Sequence, residues 1–182
     1  MEAPRLAPNK KNANRLGAHI VFVDESGFLL IPSVRKTWAP RGETPLCYHR
    51  YRREKVSAIS GISLSPKRQH CGLYFQCHIK SIRHAEVCAF IRHLLKHLRG
   101  PVIIVWDNAA IHKGAPIRQL CSQYPHMHLE LLPPYAPELN PDEGVWNHAK
   151  RNLANGQPMT RNELRRHVTR TIGSLRSLQP HL

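Results

Sequence analysis

The chain has 182 residues, enough for one domain with a real core, and carries 27 Lys and Arg against 12 Asp and Glu, a formal net charge of +15. No run of about 18 apolar residues occurs, which argues against a helical membrane span. The opening MEAPRLAPNKKNANRLG lacks the apolar stretch of a secretory signal, so the expected location is the cytoplasm. So large a basic excess points to a polyanionic partner, most simply nucleic acid. Cys47, Cys71, Cys77, Cys88 and Cys121 form no CxxC pair, and their irregular spacing argues against a disulfide framework or a zinc site. The histidines are scattered without an HExxH motif, and read as surface or packing residues.

In chain order, AHIVFVDESG reads as a short buried strand, Ile20 to Val23, running into two acids and a Gly turn. FLLIPS is expected to follow as a second strand. VRKTWAPRGETPLCYHRYRREK is basic and broken by Pro and Gly, so it reads as an exposed excursion. VSAISGISLS and GLYFQCHIK read as neighbouring strands joined by SPKRQHC. RHAEVCAFIRHLLKHLRG spaces Val87, Phe90, Ile91, Leu94, Leu95 and Leu98 at a helical period and ends at Gly100. PVIIVWDNAAIHKG is an apolar strand stopping at Asp107. A short helix over APIRQLCSQY, a strand over MHLELLP, and helices over NPDEGVWNHAKRNLAN and TRNELRRHVTRTIGSLRSL complete the order. Strands first and alternation afterwards predict an α/β fold, a mixed central sheet with helices on both faces. The strands ending at Asp24 and Asp107 should be central.

Asp24 and Asp107 each follow a hydrophobic strand at its C-terminal end, where open α/β sheets place their ligand sites. Each also fits an ordinary strand-end turn. Two carboxylates on neighbouring strands repel, and a divalent cation relieves that repulsion. A third acid comes from PPYAPELNPDEGVWNHAKR. There Asn140 suits an N-cap, Pro141 the first helical position, and Asn140 to Glu143 the capping-box spacing. Helix geometry separates the adjacent acids. With Val145, Trp146, Ala149 and Leu153 as the apolar face, Asp142 points toward its middle, with an escape to solvent at the helix end. Glu143 lies at the edge, able to reach a site at the sheet. Three carboxylates make a hard-oxygen set suited to Mg²⁺, and a pair of ions suits phosphodiester chemistry. Trp146 reads as core.

Together VFVDESGF, KTWAPRGETP, VIIVWDNAAIHKG and LLPPYAPELNPDEGVW resemble the catalytic domain of IS630/Tc1/mariner-type transposases, over residues 18 to 155. The resemblance implies an RNase H-like fold and a DDE triad of Asp24, Asp107 and Glu143 that binds Mg²⁺, with Mn²⁺ as a substitute. It implies cleavage of transposon ends and their joining to target DNA. It places Asn108 and His112 as residues that organise the site. Residues 1–17 then form a short basic N-terminal segment, and 18–182 the RNase H-like DDE catalytic domain. Arg35, Lys36, Trp38 and Arg41 on the basic excursion, with Lys150 and Arg151, are DNA-contact candidates. Trp38 reads equally well as a packed anchor of its loop. Arg161, Arg165, Arg166 and Arg170 read as further contacts or as a solvated face. Asp142 departs from the family, which has an apolar residue such as Ile there. Full transposases of this type carry helix-turn-helix domains ahead of the catalytic domain, and only about 17 residues precede the first strand here. End recognition is then expected from an N-terminal helix-turn-helix domain or reading-frame product, and the active form is expected to be a homodimer on double-stranded DNA. A purely hydrolytic RNase H-like nuclease and a non-catalytic remnant that only binds DNA or a partner subunit are the rival readings.

Overall fold

The computed structural model describes residues 13–31, 36, 38–44, 46, 54–134, 136–154 and 158–177. Five strands form one mixed sheet: β1 (His19–Leu29), β2 (Lys55–Leu64), β3 (Cys71–His78), β4 (Val102–Trp106) and β5 (Met127–Leu131). Their order is β3-β2-β1-β4-β5. β1, β2 and β3 run as an antiparallel meander. β4 and β5 join β1 in parallel, with His19 to Phe22 opposite Val102 to Val105. The two strands carrying the first two acids are thus interior, as their apolar character requires.

β1 differs from the sequence expectation. It does not stop at Asp24 and turn, and Phe28 and Leu29 of FLLIPS continue β1 instead of opening a second strand. The strand continues through Asp-Glu-Ser-Gly, with Asp24 opposite Ser60, Glu25 opposite Ile59, Ser26 opposite Ala58 and Gly27 opposite Ser57. Turn-forming composition yields here to cross-strand pairing along the whole of β2. Pairing partners, not local propensity, decide a strand's extent.

The alternation of β1 assigns its faces. Val21 and Val23 pack under α1 (His84–His97) and α2 (Ala115–Gln123), in a cluster with Phe90, Ile91, Leu94, Ile104, Trp106, Ile117 and Leu120. The stripe predicted for α1 is the buried one. A Cβ at Gly61 would meet Val21, Leu94 and Phe90 at 3.3–3.4 Å, so the bare glycine lets α1 lie close on the sheet. The helix ends at His97, and Gly100, at φ +93, reverses the chain toward β4. On the other face Phe28 and Leu30 pack with Val56, Ala58 and Leu73 under α3 (Asp142–Leu153) and α4 (Arg161–Ser177). These helices contribute Val145, Trp146, Ala149, Leu164, Val168 and Ile172. Each fully buried large side chain there contributes about 1.5–3 kcal/mol of transfer free energy. A third cluster of Ala13, Ala18, Ile20, Ile103, Val105 and Leu132 fills this face beside β4. Among the described residues, no helix is long and apolar enough to cross a membrane.

Candidate active site

The register of the parallel pair, carried two residues past Phe22 opposite Val105, sets Asp24 beside Asp107. Here β4 has ended while β1 runs on, which opens a notch at the carboxyl end of β4. Asp24 lies on the α3 face of β1, and its neighbour Glu25 on the α1 face. α3 starts over the same notch and brings Glu143. The three acids, with Asn108, line one cleft of about 410 Å³, and Leu132, Pro133, Pro134 and Pro137 also line it.

Residues behind the cleft hold each acid differently. The Trp146 indole Nε1–H donates to Asp24 Oδ2 at 2.8 Å. Burial pushes the Asp24 carboxyl up to about 6; the indole bond opposes this, and the charges of Glu25 and Glu143 add to it. Trp146 is core, as expected, only 1 % exposed and edge-on to Phe28. Its polar edge was not legible in the apolar periodicity that placed it.

Asp107 is held through its own loop. The Ala109 N–H donates to Asp107 Oδ1 at 2.9 Å, the side-chain turn that Asp favours after a strand. His112 Nδ1 lies 2.8 Å from the same oxygen, and His112 Nε2 lies 3.1 Å from Glu25 Oε1. The imidazole is buried and stacks face to face on Trp106, with 4.4 Å between centroids. Burial alone would depress its pKa, but the bond and charge of Glu25 and the contacts to Asp107 outweigh that and raise it. Each ring nitrogen faces a carboxylate oxygen, so His112 ties Asp107 to Glu25 on the opposite face of β1. Glu25 is the functional residue that sequence reasoning missed. Its signal was only its adjacency to Asp24, since the partner that gives it a role is 87 positions away.

The helix start resolves the adjacent acids. Asn140 Oδ1 accepts from the Asp142 N–H at 3.2 Å, and Pro141 already has helical angles, so Asn140 caps as expected. The reciprocal half of the capping box does not form. The Asn140 N–H instead donates to the Pro137 carbonyl at 2.9 Å, which leaves Glu143 to the cleft. Asp142 does not escape to solvent. It is fully buried, accepting a hydrogen bond from the Ser60 hydroxyl, while its Oδ2 has no hydrogen-bond partner among the described residues. Burial, reinforced by the charges of Asp24 and Glu25, pushes its carboxyl up to about 8 despite the Ser60 bond. It thus stands behind the cleft as a largely neutral group, on the side of Asp24 remote from Asp107.

The donor chemistry fits a hard divalent cation: three carboxylates face one cleft, one of them disfavoured as an anion by its burial and, to a smaller degree, by its neighbours' charge. Among the described residues no three His, Cys, Asp or Glu side chains converge to ligand distance, so the set is open as it stands. Lys150 and Arg151 are exposed in the last turn of α3 and do not line the cleft. Lys36 and Arg41 are exposed. Trp38 is fully exposed, which overturns its reading as a packed anchor. Arg35 lies outside the described residues.

Comparison with solved structures places this architecture. A pre-cleavage Mos1 transpososome superposes with a TM-score of 0.59 at 17% identity, over 93% of this chain and 56% of that one. A mariner Mos1 paired-end complex with Mg gives 0.57 at 16% identity, over 96% and 59%. A simian T-cell lymphotropic virus intasome gives 0.53 at 16% identity, over 85% and 48%. The chain thus spans little more than half the length of the transposases it resembles. Its fold is RNase H-like. A search among curated proteins finds no match. The family model for DDE superfamily endonucleases matches residues 19–165, from the first residue of β1 into α4 and across all three cleft acids. The chain belongs to the DDE superfamily endonucleases.

Proposed function

We propose that this chain is the catalytic part of an IS630-type DDE transposase, a polynucleotidyl transferase that cuts DNA at transposon ends and joins the ends to target DNA. The observation that carries the reading is the meeting of Asp24, Asp107 and Glu143, from two strands and a helix, on one cleft. The family match supports DNA phosphodiester chemistry, and a related Mos1 complex is described with Mg. Asp24, Asp107 and Glu143 would hold two Mg²⁺ ions, or Mn²⁺ in their place. Bound there, the ions supply an activated water or 3′-hydroxyl and stabilise the leaving oxygen.

The chain's own residues prepare that site. Trp146 fixes one oxygen of Asp24, and the Glu25–His112 pair fixes Asp107, so neither carboxylate has to be ordered when the substrate arrives. Asn140 holds the start of α3 and with it the position of Glu143. Asn108, on the cleft wall, offers an amide to a phosphate oxygen. The net charge of +15 supplies the attraction for the DNA backbone. The same reading includes a homodimer that brings two ends together, end recognition by an N-terminal helix-turn-helix domain, and action at the bacterial nucleoid.

The test is a strand-transfer assay in Mn²⁺, using a labelled duplex end with a free 3′-hydroxyl and a plasmid target. Joined product is expected from the wild-type chain and not from Asp24→Asn or Asp107→Asn, both of which should still bind DNA. Hydrolysis without joining would assign a nuclease instead. Processing that survives both substitutions would remove the acids from the chemistry.

A further inference from the structure

α4 packs Leu164, Val168 and Ile172 into the core and turns its arginines outward beside β3, the edge strand of the sheet. Between them lies a groove of about 540 Å³ whose walls include Phe75, Cys77, Arg165, Arg166, Arg170 and Arg176. No acid lines it. Among the described residues no carboxylate pairs with Arg165, Arg166 or Arg170, whereas Arg161, outside the groove, faces Glu54 at 3.4 Å. Arg176 is held in place. Its Nε–H donates to the Leu73 carbonyl at 2.9 Å, and its guanidinium lies 5.0 Å from the centre of the Phe75 ring. Four guanidinium groups gathered without an acid repel one another, a repulsion that an anion in the groove would relieve. From Arg165 to Arg176 the helix rises about 16 Å, the length of roughly five base steps along a duplex. Phe75 stands opposite Ser60, which stands opposite Asp24. The groove is therefore in the same transverse row as the cleft, two strand spacings or about 10 Å along the sheet.

We infer that the α4–β3 groove is a second DNA-binding surface, which takes the phosphate backbone of duplex DNA outside the cleft. The choice of duplex DNA as the polyanion rests on the function proposed above; the existence of an anion groove does not. Arg165, Arg166 and Arg170 contact phosphates, and Arg176 sets the groove's inner wall against the edge strand.

The test is fluorescence anisotropy of the full chain with a labelled duplex of arbitrary sequence, in EDTA, across a salt series. Three proteins are compared: wild type, an Arg165→Gln/Arg166→Gln/Arg170→Gln triple variant, and a Lys96→Gln/Arg99→Gln/Arg118→Gln triple variant. The latter removes equal charge from exposed positions toward the opposite face. Thermal melting by circular dichroism verifies that each is folded. The groove variant is expected to bind about tenfold or more weakly at low salt, with the slope of log affinity against log salt reduced by about 2–3. The opposite-face variant should retain a near wild-type slope. Equal losses in both variants, or wild-type binding by the groove variant, would overturn the inference. So would loss of poly-glutamate binding with DNA binding intact, which would mark the groove for an acidic protein. Because no metal and no chemistry enter, a failed strand-transfer assay leaves this result standing, and the converse holds too.

Discussion

Replacing Trp146 with Phe tests how the fold sets the charge on Asp24. The substitution keeps an aromatic ring in the core and removes the indole N–H that donates to Asp24 Oδ2 at 2.8 Å. A hydrogen bond to a charged group contributes about 1.5–3 kcal/mol, equivalent to raising the carboxyl pKa by ~1–2 at 1.36 kcal/mol for each tenfold change in proton affinity. Asp24 already stands at about 6 because of its burial, so the loss carries its titration across neutral pH. Cation binding must then displace a proton, and affinity should fall about tenfold for each pH unit below the new pKa. The assay is calorimetric titration of Mn²⁺ between about pH 5.5 and 8.5, a range that brackets the titration in both proteins. The pH at which affinity begins to fall should move up by ~1–2 in Trp146→Phe. Phe28→Leu, which disturbs the same packing without touching the donor, should leave it in place. Superimposable profiles for wild type and Trp146→Phe would refute the role given to the indole.

Asp142→Asn should stabilise the protein at alkaline pH. The folded pKa of about 8 lies above the ordinary 3.8, so the stability linked to this proton is complete below pH 3.8 and lost as pH rises through about 8. Urea unfolding should show a gain on the order of a few kcal/mol at pH 9 and little difference near pH 4; a loss at pH 9 would contradict the reading. Glu25→Gln removes the carboxylate charge facing His112 Nε2 while keeping an amide oxygen there. Because the His112 pKa is raised, that contribution is complete below 6.5 and fades as pH passes the folded value. The variant should lose about 1–3 kcal/mol at pH 6 and less at pH 9, and an equal loss at both would contradict an imidazolium. Trp38→Ala should change stability by less than about 0.5 kcal/mol, since the side chain touches solvent only, while lowering DNA affinity in the anisotropy assay.

Helical and parallel-strand elements were legible because their signals are local: the stripe of α1, the apolar run of β4, the Asn140-Pro141 start of α3. The run through Asp24 was not, since Asp-Glu-Ser-Gly is a turn by composition and a strand only because β2 supplies ten opposing residues, Lys55 to Leu64. The same division holds at the site. Asp107 could be placed from its strand end and Glu143 from its helix facing, whereas the strand end read at Asp24 is the interior of β1. Yet the hydrogen bond of Trp146, the bridging of His112 and Glu25, and the burial of Asp142 against Ser60 depend on partners 82 to 122 positions apart. A helical wheel gives the direction of a side chain, not the polar group waiting there. It aimed Asp142 at the core correctly and left open the Ser60 hydroxyl that receives it. Burying that acid is what leaves the half-buried carboxylate of the pair, Glu143, to the cleft.

Calorimetric Mn²⁺ binding to the wild-type chain, Asp107→Asn and Glu143→Gln, at a pH above the Asp24 titration, tests the central claim most directly. Cation binding needs no DNA and no recognition domain. If the three acids form one centre, both substitutions weaken binding by at least about tenfold, the loss of one charged ligand at ~1.4 kcal/mol or more. Wild-type affinity in Glu143→Gln, with loss only in Asp107→Asn, would return Glu143 to the helix start and break the triad.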